Sequence, residues 1–144
     1  MHIEVIEQPI TFDLYGLSAF VQNNDYAKTG KRLMDELWKV IAANKLPHKG
    51  INIWAYFANH EMMTAVELKQ AVDLTGILEH RMIQLERYAY SKHVGSYQLI
   101  PKAYSEMENE LAKRGLKHTV PMLEVYGHWQ EDERKLETEL IWKV

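Results

Sequence analysis

Four side chains stand at a spacing that lets them do chemistry together. They are Trp54 and Tyr56 in Ile53-Trp54-Ala55-Tyr56, and Glu124 and Tyr126 in Leu123-Glu124-Val125-Tyr126. Each quartet reads as a piece of strand, and strand side chains alternate faces with period two. Ile53, Ala55, Leu123 and Val125 are then expected to face the helices. Trp54, Tyr56, Glu124 and Tyr126 are expected on the opposite face, converging on one groove. Aromatic faces carry negative potential and attract organic cations, at about 0.5–2 kcal/mol per contact. A carboxylate held among them is costly unless it finds a partner, so it draws a proton or a cation. Together they suit a flat, lipophilic, positively charged small molecule. His128 has the same strand parity as Glu124 and Tyr126 and is expected at the groove mouth.

Other chemistries find less support. The chain has seven histidines but no His-Glu-x-x-His pair, and His118 and His128 lie ten apart across a proposed turn. These read as solvated loop residues, and neither metal nor cofactor is expected. The absence of cysteine excludes disulfides, thiolate zinc sites, thiol nucleophiles and iron–sulfur clusters. No Gly-x-Ser-x-Gly elbow and no glycine-rich phosphate loop occur, and Gly95-Ser96 reads as a turn and cap. An enzyme would have to use Glu124 as general base on a water, with Tyr126 or Tyr88 as proton donor.

The elements that must position these groups come in two similar runs. Ile3 to Val21 reads as strand, with Pro9 and Gly16 as bends. Asn23-Asn24-Asp25 offers N-cap chemistry, and Leu33, Met34, Leu37, Trp38 and Ile41 follow at helical spacing. Ile51 to Phe57 and Met62 to Val72 read as an antiparallel pair. After a break at Leu74 to Leu78 the order recurs. Met82 to His93 is strand, and Ile100, Ala103, Tyr104, Met107 and Leu111 mark a helix face with Pro101 in its first turn. Gly115 closes that helix. Met122 to His128 and Leu136 to Val144 form the last pair. The chain therefore reads as strand–helix–strand–strand, twice, over pseudo-repeats 1–72 and 79–144 of a single domain. The expected fold is α+β: an antiparallel sheet backed by two main helices, pseudo-two-fold symmetric, with a central ligand groove.

The second half also carries a resemblance. Tyr88-Ala89-Tyr90-Ser91-Lys92-His93-Val94-Gly95-Ser96-Tyr97, Ala103-Tyr104 and Pro121-Met122-Leu123-Glu124-Val125-Tyr126 resemble the GyrI-like small-molecule-binding domain. That domain is the effector-binding module of AraC-type and MerR-type multidrug-responsive regulators, and it also occurs as standalone proteins. The match is strongest over residues 79 to 144; the first half matches in layout. The last stretch is similar to the family's P-x-x-E-x-Y strand, which implies Glu124 as pocket carboxylate and Tyr126 as its neighbour. Trp54, Tyr56, Tyr88 and His128 complete the expected ligand-binding set. The chain departs from the pattern at Ser96, where the family often has proline, and at Ile141-Trp142-Lys143-Val144, which lacks the family's last-strand proline. Trp129 replaces a short acidic turn. Hydrolase members that use the pocket glutamate with a tyrosine, and gyrase-inhibitor-like members, supply the alternative functions.

Composition bounds the partners. The chain has 144 residues, 47% hydrophobic and 26% charged, which suits one globular domain. A net charge of −3 without a basic cluster argues against direct nucleic-acid binding. No apolar run of about 18 residues and no basic, apolar leader occur, so a cytoplasmic protein without membrane contact is expected. The expected partner is a small amphipathic cation. Leu136 to Val144, read as an edge strand, offers a pairing surface for a homodimer. A regulatory role would act through another protein, because both repeats are spent on the ligand fold.

Overall fold

The computed structural model describes all 144 residues. Its first half contains β1 (Glu4–Ile6), β2 (Ile10–Phe20), α1 (Tyr26–Ala43), β3 (Ile53–Tyr56) and β4 (Glu61–Val66). Its second half contains β5 (Glu79–Leu85), β6 (Tyr88–Val94), α2 (Ile100–Lys113), β7 (Thr119–Tyr126) and β8 (Glu137–Lys143). Asp25 caps α1, its Oδ1 accepting from the Lys28 backbone N–H at 3.2 Å. Pro101 sits in the first turn of α2, where a missing N–H costs least. No helix is long and apolar enough to cross a membrane.

Two expected strands are each broken in two. Ile3 to Val21 divides at Pro9, which has no N–H to continue a ladder. Met82 to His93 divides at Glu86-Arg87. The repeating unit is therefore strand–strand–helix–strand–strand, one strand longer than the sequence suggests.

All eight strands join one antiparallel sheet in the order β1-β6-β8-β7-β3-β4-β2-β5. The order is its own mirror about the β3–β7 pair. The leading strand of each half crosses over: β1 pairs with β6 and β5 pairs with β2. The segment expected at an edge, Leu136 to Val144, is instead interior, because β8 pairs with β6 on one side and β7 on the other. The edges are β1 and β5.

The sheet must curl. β5 and β6 are joined by two residues, yet six strand spacings separate them, about 29 Å along a flat sheet at ~4.8 Å each. A two-residue link spans only about 10 Å. Curling brings Phe12, Leu14, Leu85, Tyr88 and Ile141 into one cluster with Ile53, Ala55 and Leu123. This corrects the facing expected for the two quartets. Ile53, Ala55 and Leu123, with Val125 against them, pack inside the curl and not against the helices. Alternation sorts residues into two sets without saying which set meets a helix. Here the compact aliphatic set fills the tight inner curve, and the bulky set looks outward, where helices leave space.

The helices cover the two flanks of that outer face. Leu37 and Ile41 of α1 pack with Tyr15 and Val66. Ala103, Met107 and Leu111 of α2 pack with Ile3, Ala89, Leu140 and Trp142. Met107 and Leu111 are essentially fully buried, each contributing about 1.5–3 kcal/mol by leaving water. Neither helix covers the central pair, β3 and β7. The gap between them is the groove.

Candidate functional site

Trp54 lies directly opposite Glu124 in the β3–β7 ladder, with Ile53 opposite Val125 and Ala55 opposite Leu123. This register is self-consistent under a two-fold axis between Trp54 and Glu124: residues seventy apart exchange places. The helices obey the same offset. The buried positions Gly30, Leu33, Leu37 and Ile41 of α1 recur as Ile100, Ala103, Met107 and Leu111 of α2.

Between the helices, above β3 and β7, lies a cavity of about 1000 Å³, at the upper end for small-molecule sites. Its walls come largely in two-fold pairs: Trp54 with Glu124, Tyr56 with Tyr126, Met34 with Tyr104, and Ala27 with Tyr97. The axis repeats position but not chemistry. One side offers an indole and a thioether; the other offers a carboxylate and a phenol.

Glu124 is only 5% exposed. Its Oε1 accepts the Tyr56 hydroxyl at 2.8 Å and the Tyr126 hydroxyl at 2.5 Å. Its Oε2 accepts the Tyr104 hydroxyl at 2.5 Å. An ionised carboxylate is acceptor-only, so three O–H donors match its needs. All three are neutral, and none of the ion pairs in the fold includes Glu124. Burial first, then the adjacent Glu124, pushes these three hydroxyls well above the ordinary tyrosine range.

The aromatic wall is braced edge to face. Trp54 meets Tyr126 at 5.6 Å between centroids, Tyr97 meets Tyr126 at 5.4 Å, and Tyr26 meets Tyr56 at 5.7 Å. Such contacts fix ring orientation and add about 0.5–1.5 kcal/mol each. A β-carbon at Gly30 would lie 2.3 Å from the Trp54 ring, so only glycine lets α1 sit this close to it. Trp129, 74% exposed, stands at the rim and also lines the cavity.

Of the residues singled out from sequence, the structure brings Trp54, Tyr56, Glu124 and Tyr126 together. Tyr88 lies elsewhere, buried inside the curl on the face turned away from the cavity. It starts β6 at the tight β5–β6 link, where the inner core needs a large ring. His128 is exposed just past the end of β7; it does not itself line the cavity, but its ring lies beside Gly50, which does. The sequence places Tyr104 on a helix face and in the family-like Ala103-Tyr104 stretch, but not in the expected ligand-binding set. It stands one position off the buried stripe of α2, which aims it into the gap. Tyr26 and Tyr97, at the N-terminal ends of the two helical segments, carried no comparable signal.

A family model described as "GyrI-like small molecule binding domain" matches residues 1–144. No curated protein sequence matches the chain significantly. Among solved structures, the C-terminal domain of EcmrR is 17% identical, covers 100% of each chain and superposes with a TM-score of 0.68. SAV2435, solved bound to tetraphenylphosphonium, is 15% identical, with 99% of this chain and 93% of that chain covered and a TM-score of 0.64. A conserved protein from Listeria innocua is 10% identical, with 97% and 90% covered and a TM-score of 0.61. At these identities the structures share a fold with this chain.

Proposed function

The chain belongs to the GyrI-like small molecule binding domain family, and from that premise we propose that it binds lipophilic organic cations in the central cavity, as a sensor or sequestering protein. The observation that carries this reading is Glu124: a buried carboxylate with no cationic partner, set in an aromatic wall. A ligand cation supplies the missing charge without leaving the aromatic surface, and the rings add cation–π attraction. The tetraphenylphosphonium held by SAV2435, a protein of like fold, is a lipophilic cation and supports the class.

The test is a fluorescence titration, with Trp54 and Trp129 in the cavity wall as reporters. Tetraphenylphosphonium is the cationic probe and triphenylphosphine oxide the neutral one. Saturable quenching by the cation is expected, weakened about tenfold or more in Glu124→Gln, a loss of ~1.4 kcal/mol or more. The neutral probe should be indifferent to that substitution. If Glu124→Gln binds the cation as tightly as the parent, the carboxylate is not the recognition element and the reading fails. Recovery of a chemically altered probe would move the function to hydrolysis at the same glutamate.

A further inference from the structure

The β3–β7 ladder runs past the end of β3. The Asn52 carbonyl accepts the Tyr126 N–H at 2.9 Å, and in the same register Gly50 stands opposite His128. His48 comes two residues before Gly50, so His48 and His128 are diagonal neighbours across a residue with no side chain. A β-carbon at Gly50 would lie 4.0 Å from Nδ1 of each ring. The two nitrogens are therefore no more than about 8 Å apart, the reach of a diagonal pair on one sheet face.

His48 is held, and His128 is free to turn. The His48 ring sits edge to face with Trp38, 4.7 Å between centroids. Trp38 is fixed in turn by its indole N–H, which donates to Asn52 Oδ1 at 2.6 Å. Nδ1 of His48, so held, is buried and has no hydrogen-bond partner, a costly state for a polar atom. His128 is exposed and outside any strand, so rotation of its side chain can carry its Nδ1 towards that of His48.

A neutral imidazole nitrogen is the commonest protein ligand for a metal ion. One ion, about 2.0–2.1 Å from each nitrogen, would satisfy the buried atom and close the gap. We propose that His48 and His128 bind one divalent transition-metal ion, of the zinc, copper and nickel class, at the rim of the cavity. Imidazole suits that class, whereas magnesium and calcium require oxygen ligands that this pair lacks. No group of three or more His, Asp or Glu is placed to hold an ion, which leaves water to complete the coordination. The two-fold axis does not repeat the site, since the mates of Gly50 and His128 are Val120 and Ala58. The ion would clamp the segment before β3 to the loop after β7. Gly50, Gly127 and Trp129 of those segments line the cavity, so the clamp would fix its mouth.

The test is calorimetric titration of the full chain with zinc chloride, near neutral pH, in a buffer that does not bind metal. One zinc ion per chain is expected. Its affinity should fall about tenfold or more in His48→Gln and in His128→Gln. It should be unchanged in His2→Gln, whose ring pairs with Glu4 on the edge strand β1. Magnesium chloride should show no binding. Circular dichroism checks the fold of each variant, and His128→Gln, an exposed change, decides the matter if His48→Gln unfolds. The proposal is overturned if the parent binds no zinc, if either folded variant binds it as tightly as the parent, or if His2→Gln weakens it as much as they do. Neither histidine bonds Glu124, so the outcome is separate from that of the tetraphenylphosphonium titration.

Discussion

At Glu124 the side chain's stability and its usefulness conflict. A buried carboxylate is costly without donors, and three phenols remove that cost without cancelling its charge. The phenols are themselves affected. Burial and the neighbouring carboxylate raise the pKa values of Tyr56, Tyr104 and Tyr126 above the ordinary value of about 10. The unfolded chain loses these protons first, so above pH ~10 it binds fewer protons than the fold does. Stability is therefore full below that pH and falls as pH rises beyond it. Tyrosinate absorbance followed alongside far-ultraviolet circular dichroism should show these phenols ionising only as the fold is lost. Ionisation of all eight tyrosines before any loss of secondary structure would contradict the hydrogen-bonded cluster. Glu124 and Tyr126 were legible in sequence because strand parity puts positions two apart on one face. Tyr104 was not, because a helical tyrosine beside a buried stripe looks like core until the opposing strand is known. Tyr88 misled for the opposite reason: its neighbours resemble the family, but its strand turns it inward.

Elements were easier to read than their facing. Both long helices fall where the three-and-four spacing of apolar residues puts them. The break at Pro9 had a visible cause. The one at Glu86-Arg87 had none, since neither residue is a turn former. Gly30 shows what periodicity leaves out. In the interior of α1 a glycine costs about 1 kcal/mol against alanine, so helix propensity alone says that Gly30→Ala stabilises. Contact says otherwise. The new methyl would lie 2.3 Å from the Trp54 ring and 2.8 Å from the Met62 thioether methyl. The ring must then move, and its free direction is into the cavity. Gly30→Ala should destabilise the protein by up to about 2 kcal/mol, the overpacking cost of about 1–3 kcal/mol less the propensity gain of about 1 kcal/mol. It should also weaken tetraphenylphosphonium binding. Denaturant unfolding and the fluorescence titration would check the two effects separately. A more stable Gly30→Ala protein would show that α1 does not press on Trp54.

Across the whole molecule, the two-fold axis both builds the cavity and ties the halves together. Three of the seven strand pairings in the sheet, β1 with β6, β5 with β2 and β3 with β7, join one half to the other. The duplication was visible in sequence because the order of elements repeats. The exchange of leading strands was not, because strand partners are set by contacts far apart in the chain, and a three-residue strand such as β1 carries no pattern of its own. The exchange makes a prediction about folding. A half of about 70 residues buries only ~60% of its unfolded surface, which is marginal. Alone, the first half would lack the β6 partner of β1, the β5 partner of β2 and the β7 partner of β3. Fragments 1–72 and 73–144 should therefore each be unfolded by circular dichroism. Mixed, they should form a folded one-to-one complex, because each supplies the strands the other lacks. That complex should also recover tetraphenylphosphonium binding, since Trp54 and Glu124 then meet across the restored β3–β7 ladder. A first fragment that folds alone as a monomer would mean that its own β2–β4–β3 ladder and α1 suffice. The crossed strands would then serve to align the two halves around the cavity rather than to stabilise either one.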